Sequence, residues 1–320
     1  MKSTTVIPLL NAIALALVVV VLPEGVSRPA ATSAASTLRV MTFNLWHGGE
    51  AGGAPLEQTA TVIRQSGADI VGLQETHGVE RHGTRPDNGR GLATLLGWHY
   101  VDQGQRTGIL SRWPIVGRQR GAAGVTVRLP DGRDVHVFNV HLAHAPYQPY
   151  QLLGIPYERA PFLTTAAEAV EAARKARGAQ IEAVLDVVRP LVTQGAPVVL
   201  TGDFNEPSHR DWTPRAAAAG RVPLAVAYPT TRAVEDAGLR DAFRAEHPDE
   251  VTRPGHTWTP TTAPDDPADR HDRIDFVFVA GADLDVAACA VVGEAQGPAD
   301  VVVHPWPSDH RAVVATLTLR

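Results

Sequence analysis

Gly202-Asp203-Phe204-Asn205 follows the apolar run Ala196-Pro197-Val198-Val199-Leu200-Thr201, a buried strand that delivers its last residues to a loop rim. Residues two apart in an extended segment point to the same side. Asp203 and Asn205 are therefore expected to face one pocket while Phe204 turns back into the core. A carboxylate can orient or deprotonate a water, and a neutral amide can hydrogen-bond a developing oxyanion without adding negative charge, a pairing suited to phosphoryl transfer. An isolated Asp-x-Asn is more often an Asx turn that caps the next helix. Its companions decide. Other chain segments also stop on polar side chains: Asn44, Glu75, His141, Asp275 and the pair Asp309-His310. Their chemistry suits a hard cation and a phosphate.

The elements that must position these groups are strands. Leu38 to Phe43 and Ala68 to Glu75 read as buried strands, with a helix over Leu56 to Gln65 between them. A short helix, Gly89 to Gly97, precedes strands at 98–101, 108–111, 125–129 and 135–141, the last two joined at Asp131-Gly132. Residues 143–163 hold four prolines and the aromatics Tyr147, Tyr150, Tyr157 and Phe162, too many large apolar groups to stay solvated, so an ordered loop or lid is expected. Helical spacing over 164–177 and 179–189 is interrupted at Gly178, a short helix is expected at 211–219, and a local turn or helix at 236–243. Closing strands follow at 274–279, 285–292 and 311–319. Helices do not follow nearly every strand, which argues against a doubly wound parallel sheet. The expectation is an α/β (α+β) four-layer sandwich of two packed, mainly antiparallel sheets flanked by helices.

The amino terminus differs from the rest. Lys2 precedes the mostly apolar run Val6 to Leu22, and small residues continue to Ser36, the parts of a secretory signal with a cut expected after Ala35. The alternative is a retained membrane anchor. Residues 1–35 are thus read as a signal peptide and 36–320 as one catalytic domain, secreted or extracytoplasmic. Without the leader, 27 basic face 33 acidic residues, a formal charge of −6. That average offers no basic face for long nucleic acid. Lys175 is the only remaining lysine, so a phosphate clamp would be built from Arg. Cys289 is the sole cysteine, which excludes an intramolecular disulfide.

Thr42-Phe43-Asn44-Leu45-Trp46, Leu73-Gln74-Glu75, Gly108-Ile109-Leu110-Ser111-Arg112, Asn139-Val140-His141-Leu142, Gly202-Asp203-Phe204-Asn205, Arg273-Ile274-Asp275-Phe276 and Ser308-Asp309-His310 span nearly the whole mature chain. In that order they resemble the endonuclease/exonuclease/phosphatase superfamily, which includes pancreatic-type deoxyribonucleases and neutral sphingomyelinases. The resemblance implies a four-layer sandwich and a divalent cation, Mg²⁺ first with Mn²⁺ or Ca²⁺ as alternatives, held by Glu75 with Asn44 and Asp309. It implies that Asp203 activates water, that Asn205 holds the water or a phosphate oxygen, and that His310, oriented by Asp275, contacts the phosphate. His141 would bind phosphate or protonate the leaving group. Trp258 resembles a pocket-wall residue, and His209 is close enough in sequence to touch substrate. His47 is read as supporting the site, and Arg112 and Arg273 as structural ion pairs. Three functional readings result, in order: an exported hydrolase of a small-molecule or lipid phosphate ester, a secreted nuclease acting on DNA or RNA, and a catalytically silent binding protein. No protein partner is evident.

Overall fold

Strand and helix bounds follow the apolar periodicity closely. In chain order the first strands are β1 (Ser36–Asn44), β2 (Ile70–Gln74), β3 (His99–Gly104), β4 (Thr107–Ser111), β5 (Ile115–Arg118), β6 (Gly124–Arg128) and β7 (Asp134–His141). Then come β8 (Val198–Asp203), β9 (Arg240–Asp241), β10 (Asp275–Ala280), β11 (Leu284–Gly293), β12 (Val301–Val302) and β13 (Ala312–Leu319). The helices are α1 (Leu56–Ser66), α2 (Asn88–Leu96), α3 (Gln148–Leu153), α4 (Ala166–Thr193), α5 (Pro214–Ala218), α6 (Pro229–Asp236) and α7 (Ala242–Glu246). The computed structural model describes residues 1–2 and 36–320, so the greater part of the expected leader lies outside the described residues. Residues 35–320 form one compact unit. Among the described residues no helix is long and apolar enough to cross a membrane.

Seven strands form one sheet, ordered β12-β11-β13-β1-β2-β4-β3, and six form the other, ordered β5-β6-β7-β8-β10-β9. Pairing is antiparallel except for β1 with β2, β7 with β8 and β11 with β12. Both faces of each sheet are covered. Val40, Ile70, Val137, Val199 and Val277 share the core between the sheets. Met41, Phe43, Val71 and Leu73 pack with Ala60, Val62 and Ile63 of α1 and Leu92 of α2. Phe138, Leu200, Phe276 and Phe278 pack with Ile181, Leu185 and Val188 of α4 and Val234 of α6. Helix, sheet, sheet, helix is the four-layer α/β sandwich expected from the sequence.

Side-chain parity along these strands decides where the polar groups go. On β1 the residues facing the other sheet run Val40, Thr42, Asn44; on β8 they run Val199, Thr201, Asp203; on β7, Val137, Asn139, His141. Cross-strand register keeps these steps level: Val137 lies opposite Val199, Asn139 opposite Thr201, and His141 opposite Asp203. Asp275 of β10 also lies opposite Asp203. The space between the sheets therefore changes along its length from hydrocarbon, through a hydrogen-bonded belt, to ionisable groups. In the belt Gln74 Nε2 donates to Asn139 Oδ1 at 2.6 Å and Thr201 Oγ1 to the same oxygen at 3.1 Å. Gly72 lets the sheets approach there, since a Cβ would lie 2.0 Å from Thr201 Oγ1.

One helix expectation needs correction. Gly178 does not break the long helix, because α4 runs unbroken from Ala166 to Thr193. A glycine costs a helix interior roughly 1 kcal/mol, and here that is outweighed. Thr165 and Glu168 form a reciprocal capping box, and Ala169, Ala173, Arg177, Ile181, Leu185 and Val188 bury one continuous face. Near 236–243, where a local turn or helix is expected, the chain ends α6 at Asp236, turns, and begins α7 at Ala242, where Asp241 accepts from the backbone N–H of Phe243 and Arg244. The strands β5, β9 and β12 were not foreseen; two of them are only two residues long.

Candidate active site

The polar ends of β1 and β7, with His310 from just before β13, converge on one carboxylate oxygen at the end of β8. Asp203 Oδ2 accepts from Asn44 Nδ2 at 2.9 Å and lies 3.5 Å from His141 Nε2 and 3.7 Å from His310 Nε2. Its other oxygen, Oδ1, accepts the backbone N–H of Asn205 at 2.8 Å. Asp203 thus does both things weighed from its sequence: one oxygen closes an Asx turn and the other enters a polar cluster. The turn changes the reason Asn205 faces as it does. Asn205 has φ 49°, so it is left-handed rather than extended, and its Nδ2 donates to Leu142 O at 3.1 Å. Phe204 is fully buried against Phe276 and Phe278, as expected.

His310 sits just before β13 and is nearly buried. Its Nδ1 lies 2.9 Å from Asp275 Oδ2. Burial disfavours the imidazolium, yet the charges of Asp275 and Asp203, the hydrogen bond to Asp275 and the charge of Asp309 outweigh it, and the group is pushed up to about 10. It is a charged donor held by one acid and aimed at a second.

Glu75 follows β2 with φ 54° and accepts the His47 backbone N–H on Oε2 at 2.9 Å. Burial pushes its carboxyl up, but that N–H and the nearby His141, His310 and His47 bring it below the usual carboxylate range. Asp309 Oδ1 lies 4.0 Å from His310 Nε2. Burial pushes the Asp309 carboxyl up to about 6, with Glu75 and Asp203 adding to the rise against the pull of His310. Asn44 places its amide nitrogen on Asp203 and its Oδ1 on the Trp46 backbone N–H at 3.0 Å, leaving that oxygen a second lone pair.

The sequence profile of the Endonuclease/Exonuclease/phosphatase family matches residues 41–310. The chain belongs to that family. Its members are metal-dependent phosphoesterases and nucleases. An uncharacterized Caenorhabditis elegans protein, F14F9.5, is 28% identical over 329 residues, covering 94% of this chain and 98% of its own. The fold is shared with an endonuclease/exonuclease/phosphatase from Beutenbergia cavernae at TM-score 0.56 and 24% identity, covering 88% of this chain and 72% of that one. It is shared also with an AP endonuclease from Archaeoglobus fulgidus at TM-score 0.52 and 15% identity, over 87% and 98% of the two chains. A 3′-5′ exonuclease from Neisseria meningitidis gives TM-score 0.52 and 19% identity over the same shares.

The family's dependence on a divalent cation can be tested against this chain's own atoms. Asp275 Oδ1 and Asp309 Oδ1 are buried without a hydrogen-bond partner among the described residues. Together with Glu75 and Asp203 they leave more negative charge than the histidines balance, and unpaired buried charge is costly. A hard cation fits. Asp203, Asp275 and His310 also offer atoms within 4.8 Å of one another, a donor set capable of holding a metal. Asp275 takes the Nδ1 of His310, which leaves Nε2 as the ring nitrogen of this trio that can meet a metal or a phosphate.

Of the anticipated site residues, His209 points elsewhere. Its Nδ1 meets Thr231 Oγ1 at 2.9 Å and its Nε2 lies 3.3 Å from Glu235, so α6 holds the ring. Trp258 does border the cluster, its ring 6.3 Å from that of His310. His47 supports Glu75 as expected, and Arg112 and Arg273 are ion-paired, to Asp69 and to Asp211 with Asp241. Sequence reasoning missed the groups that hold the site from behind. Asp272, fully buried, accepts Tyr147 Oη at 2.9 Å and Trp212 Nε1 at 3.1 Å. Arg177, also buried, donates to Ala143 O, Gln148 Oε1 and Pro146 O at 2.7–2.9 Å and lies 3.7 Å from Glu206. A charged residue on the apolar face of α4 was the readable signal for Arg177.

Proposed function

We propose that this protein is an exported hydrolase of a phosphate ester that works with a divalent cation, Mg²⁺ first and Mn²⁺ or Ca²⁺ as substitutes. One observation carries the reading: Asn44, His141 and His310, from three separate segments, surround the Oδ2 of Asp203. Glu75, Asn44 and Asp309 would hold the cation. When bound, it would neutralise phosphate charge and favour ionisation of water. Asp203 orients a water and takes its proton, while the amide of Asn205 steadies that water or a phosphate oxygen. His310 donates to the phosphate as charge accumulates, with Asp275 fixing the ring through Nδ1. His141 protonates the departing oxygen or binds a phosphate oxygen.

The ester is a small or lipid-derived one. The net acidity supports this, as does the aromatic wall formed by Tyr147, Tyr150, Tyr157 and Trp258 beside His310. Nuclease action is the second reading, favoured by the named activities of the Archaeoglobus and Neisseria neighbours. A silent binding protein ranks last because every expected position is filled. Export rests on the leader-like sequence of residues 1–35. The test is to incubate the purified protein and Mg²⁺ with a phosphomonoester, a phosphodiester, sphingomyelin and plasmid. Cleavage of a small or lipid ester that stops with EDTA is expected. Efficient plasmid nicking at moderate salt would overturn the substrate choice, and inactivity with all three cations would overturn the enzymatic reading.

A further inference from the structure

Between β7 and α4 the chain contributes three tyrosines, and their hydroxyls are engaged differently. Tyr147 donates to Asp272 and Tyr150 to Asp269, both acceptors on the loop that precedes β10. The hydroxyl of Tyr157 has no partner among the described residues. Tyr157 is nonetheless firmly placed. Its ring stands edge-on to Tyr150 at 5.6 Å and to His144 at 6.3 Å, and its carbonyl accepts the Ala160 N–H at 3.0 Å. Glu158 and Arg159, with φ 47° and 58°, turn the chain back immediately after it. From Tyr150 the ring contacts continue to Trp258 at 5.8 Å and from Trp258 to His310 at 6.3 Å.

The ring contacts carry Tyr157 to the edge of the site, through Tyr150 and Trp258 to His310. Its phenol is pushed up first by burial, next by Glu158, and then by the field of Asp203 and Glu75. The phenol keeps its proton at neutral pH. Around a crowd of carboxylates, a neutral O–H can meet a phosphate oxygen without adding charge or surrendering its proton, which no acid or histidine there can do.

We propose that Tyr157 Oη donates a hydrogen bond to a non-bridging oxygen of the bound phosphate, making Tyr157 a catalytic residue supplied by the loop rather than by a strand end. This rests on the phosphate-ester reading above. Tyr157→Phe keeps both ring contacts and removes only the donor. Wild type and variant are compared with Mg²⁺ for kcat and KM on each ester the wild type cleaves, and by calorimetric titration with inorganic phosphate. The expected result is a kcat/KM lower by roughly 10-fold and phosphate binding weaker by a similar factor, with an unchanged melting curve. Equal kcat/KM and equal phosphate affinity would overturn the proposal. If the wild type cleaves no ester, the functional reading fails, while the titration still decides Tyr157: weaker binding by the variant supports it, and equal binding, or no binding by either protein, overturns it.

Discussion

The strand-end cluster and the aromatic wall meet where Trp258 stands beside His310 but are built by different physics. In the cluster, direction is imposed by the backbone. Asn44, His141, Asp203 and Asp275 continue the strand faces that pack the two sheets together, and cross-strand register sets their level. In the wall, direction is imposed by side chains that bond other side chains or the loop's carbonyls: Asp272 on Tyr147, Asp269 on Tyr150, Gln151 on Pro161 O, and Arg177 on three acceptors of the 143–148 segment. A sheet tolerates little displacement of its ends, whereas a braced loop can change length and sequence without moving the strands. On the proposed function, proton transfer falls to the cluster, while the wall selects the substrate and, through Tyr157, holds its phosphate. Substitutions in the two regions should fail differently.

The largest effect is expected where no packing is lost. Asp203→Asn keeps the volume but exchanges one of the two accepting oxygens for an amide donor and removes the proton acceptor, and His310→Ala removes the charged donor. Each should lower kcat by roughly 10³-fold or more, with a thermal melting curve close to that of the parent. A folded Asp203→Asn variant that retains activity would separate the cluster from the reaction and erase the contrast.

Arg177→Ala tests the other region at comparable cost but in stability. Burial pushes the Arg177 guanidinium down and the Glu206 carboxyl up, with each partner's charge opposing that pressure on the other. Removing the cation strands a fully buried carboxylate and releases Ala143, Pro146 and Gln148 together. A loss of about 3–5 kcal/mol is expected, read as a lower urea midpoint at constant m. What activity remains should show mainly a raised KM. A change within experimental scatter would mean that the wall is held by its rings alone.

Asp275→Asn comes next. Asparagine at 275 can still meet His310 Nδ1 but cannot balance an imidazolium, so the ring is kept in place with less charge. A kcat lower by roughly 10²-fold with little change in KM is expected. A large KM effect instead would make Asp275 a packing residue of the cavity floor.

The same contrast explains what the sequence disclosed. The cluster could be read because strand ends announce themselves: apolar runs stop at Asn44, His141 and Asp203, and parity says which face they join. Glu75, one residue past β2, was readable for the same reason. The order of these groups along the chain identified the family, and strand spacing identified two packed sheets. His209 misled because nearness in sequence to Asn205 carries no direction once the chain turns at a left-handed residue. Gly178 misled because local propensity was weighed without the buried face that carries α4 through it. Asp272 and Glu206 were not legible, and Arg177 was legible only as a charge on the apolar face of α4, since each is fixed by a partner 29 to 125 residues away whose position only the packed sheets determine.

The smallest effect isolates a single bond of the wall and has a pH signature. Asp272 is fully buried; desolvation raises its carboxyl above the ordinary range, while Arg270, Tyr147 and Trp212 pull it back. A folded-state acid with a raised pKa binds more protons than the unfolded chain between the two values, so its contribution to stability falls as pH rises through that window. Tyr147→Phe removes one stabilising donor, which raises the folded value further and widens the window upward. The variant should therefore lose about 1–2 kcal/mol at neutral pH and progressively less as the solution is acidified towards the ordinary aspartate range, where Asp272 no longer needs an O–H donor in either protein. Because other acids titrate equally in both chains, the difference between them is the quantity to plot from paired urea melts. A gap that stays constant with pH would mean that Tyr147 supports the wall through its ring against Trp258 and Tyr150, and that the bond to Asp272 adds nothing to it.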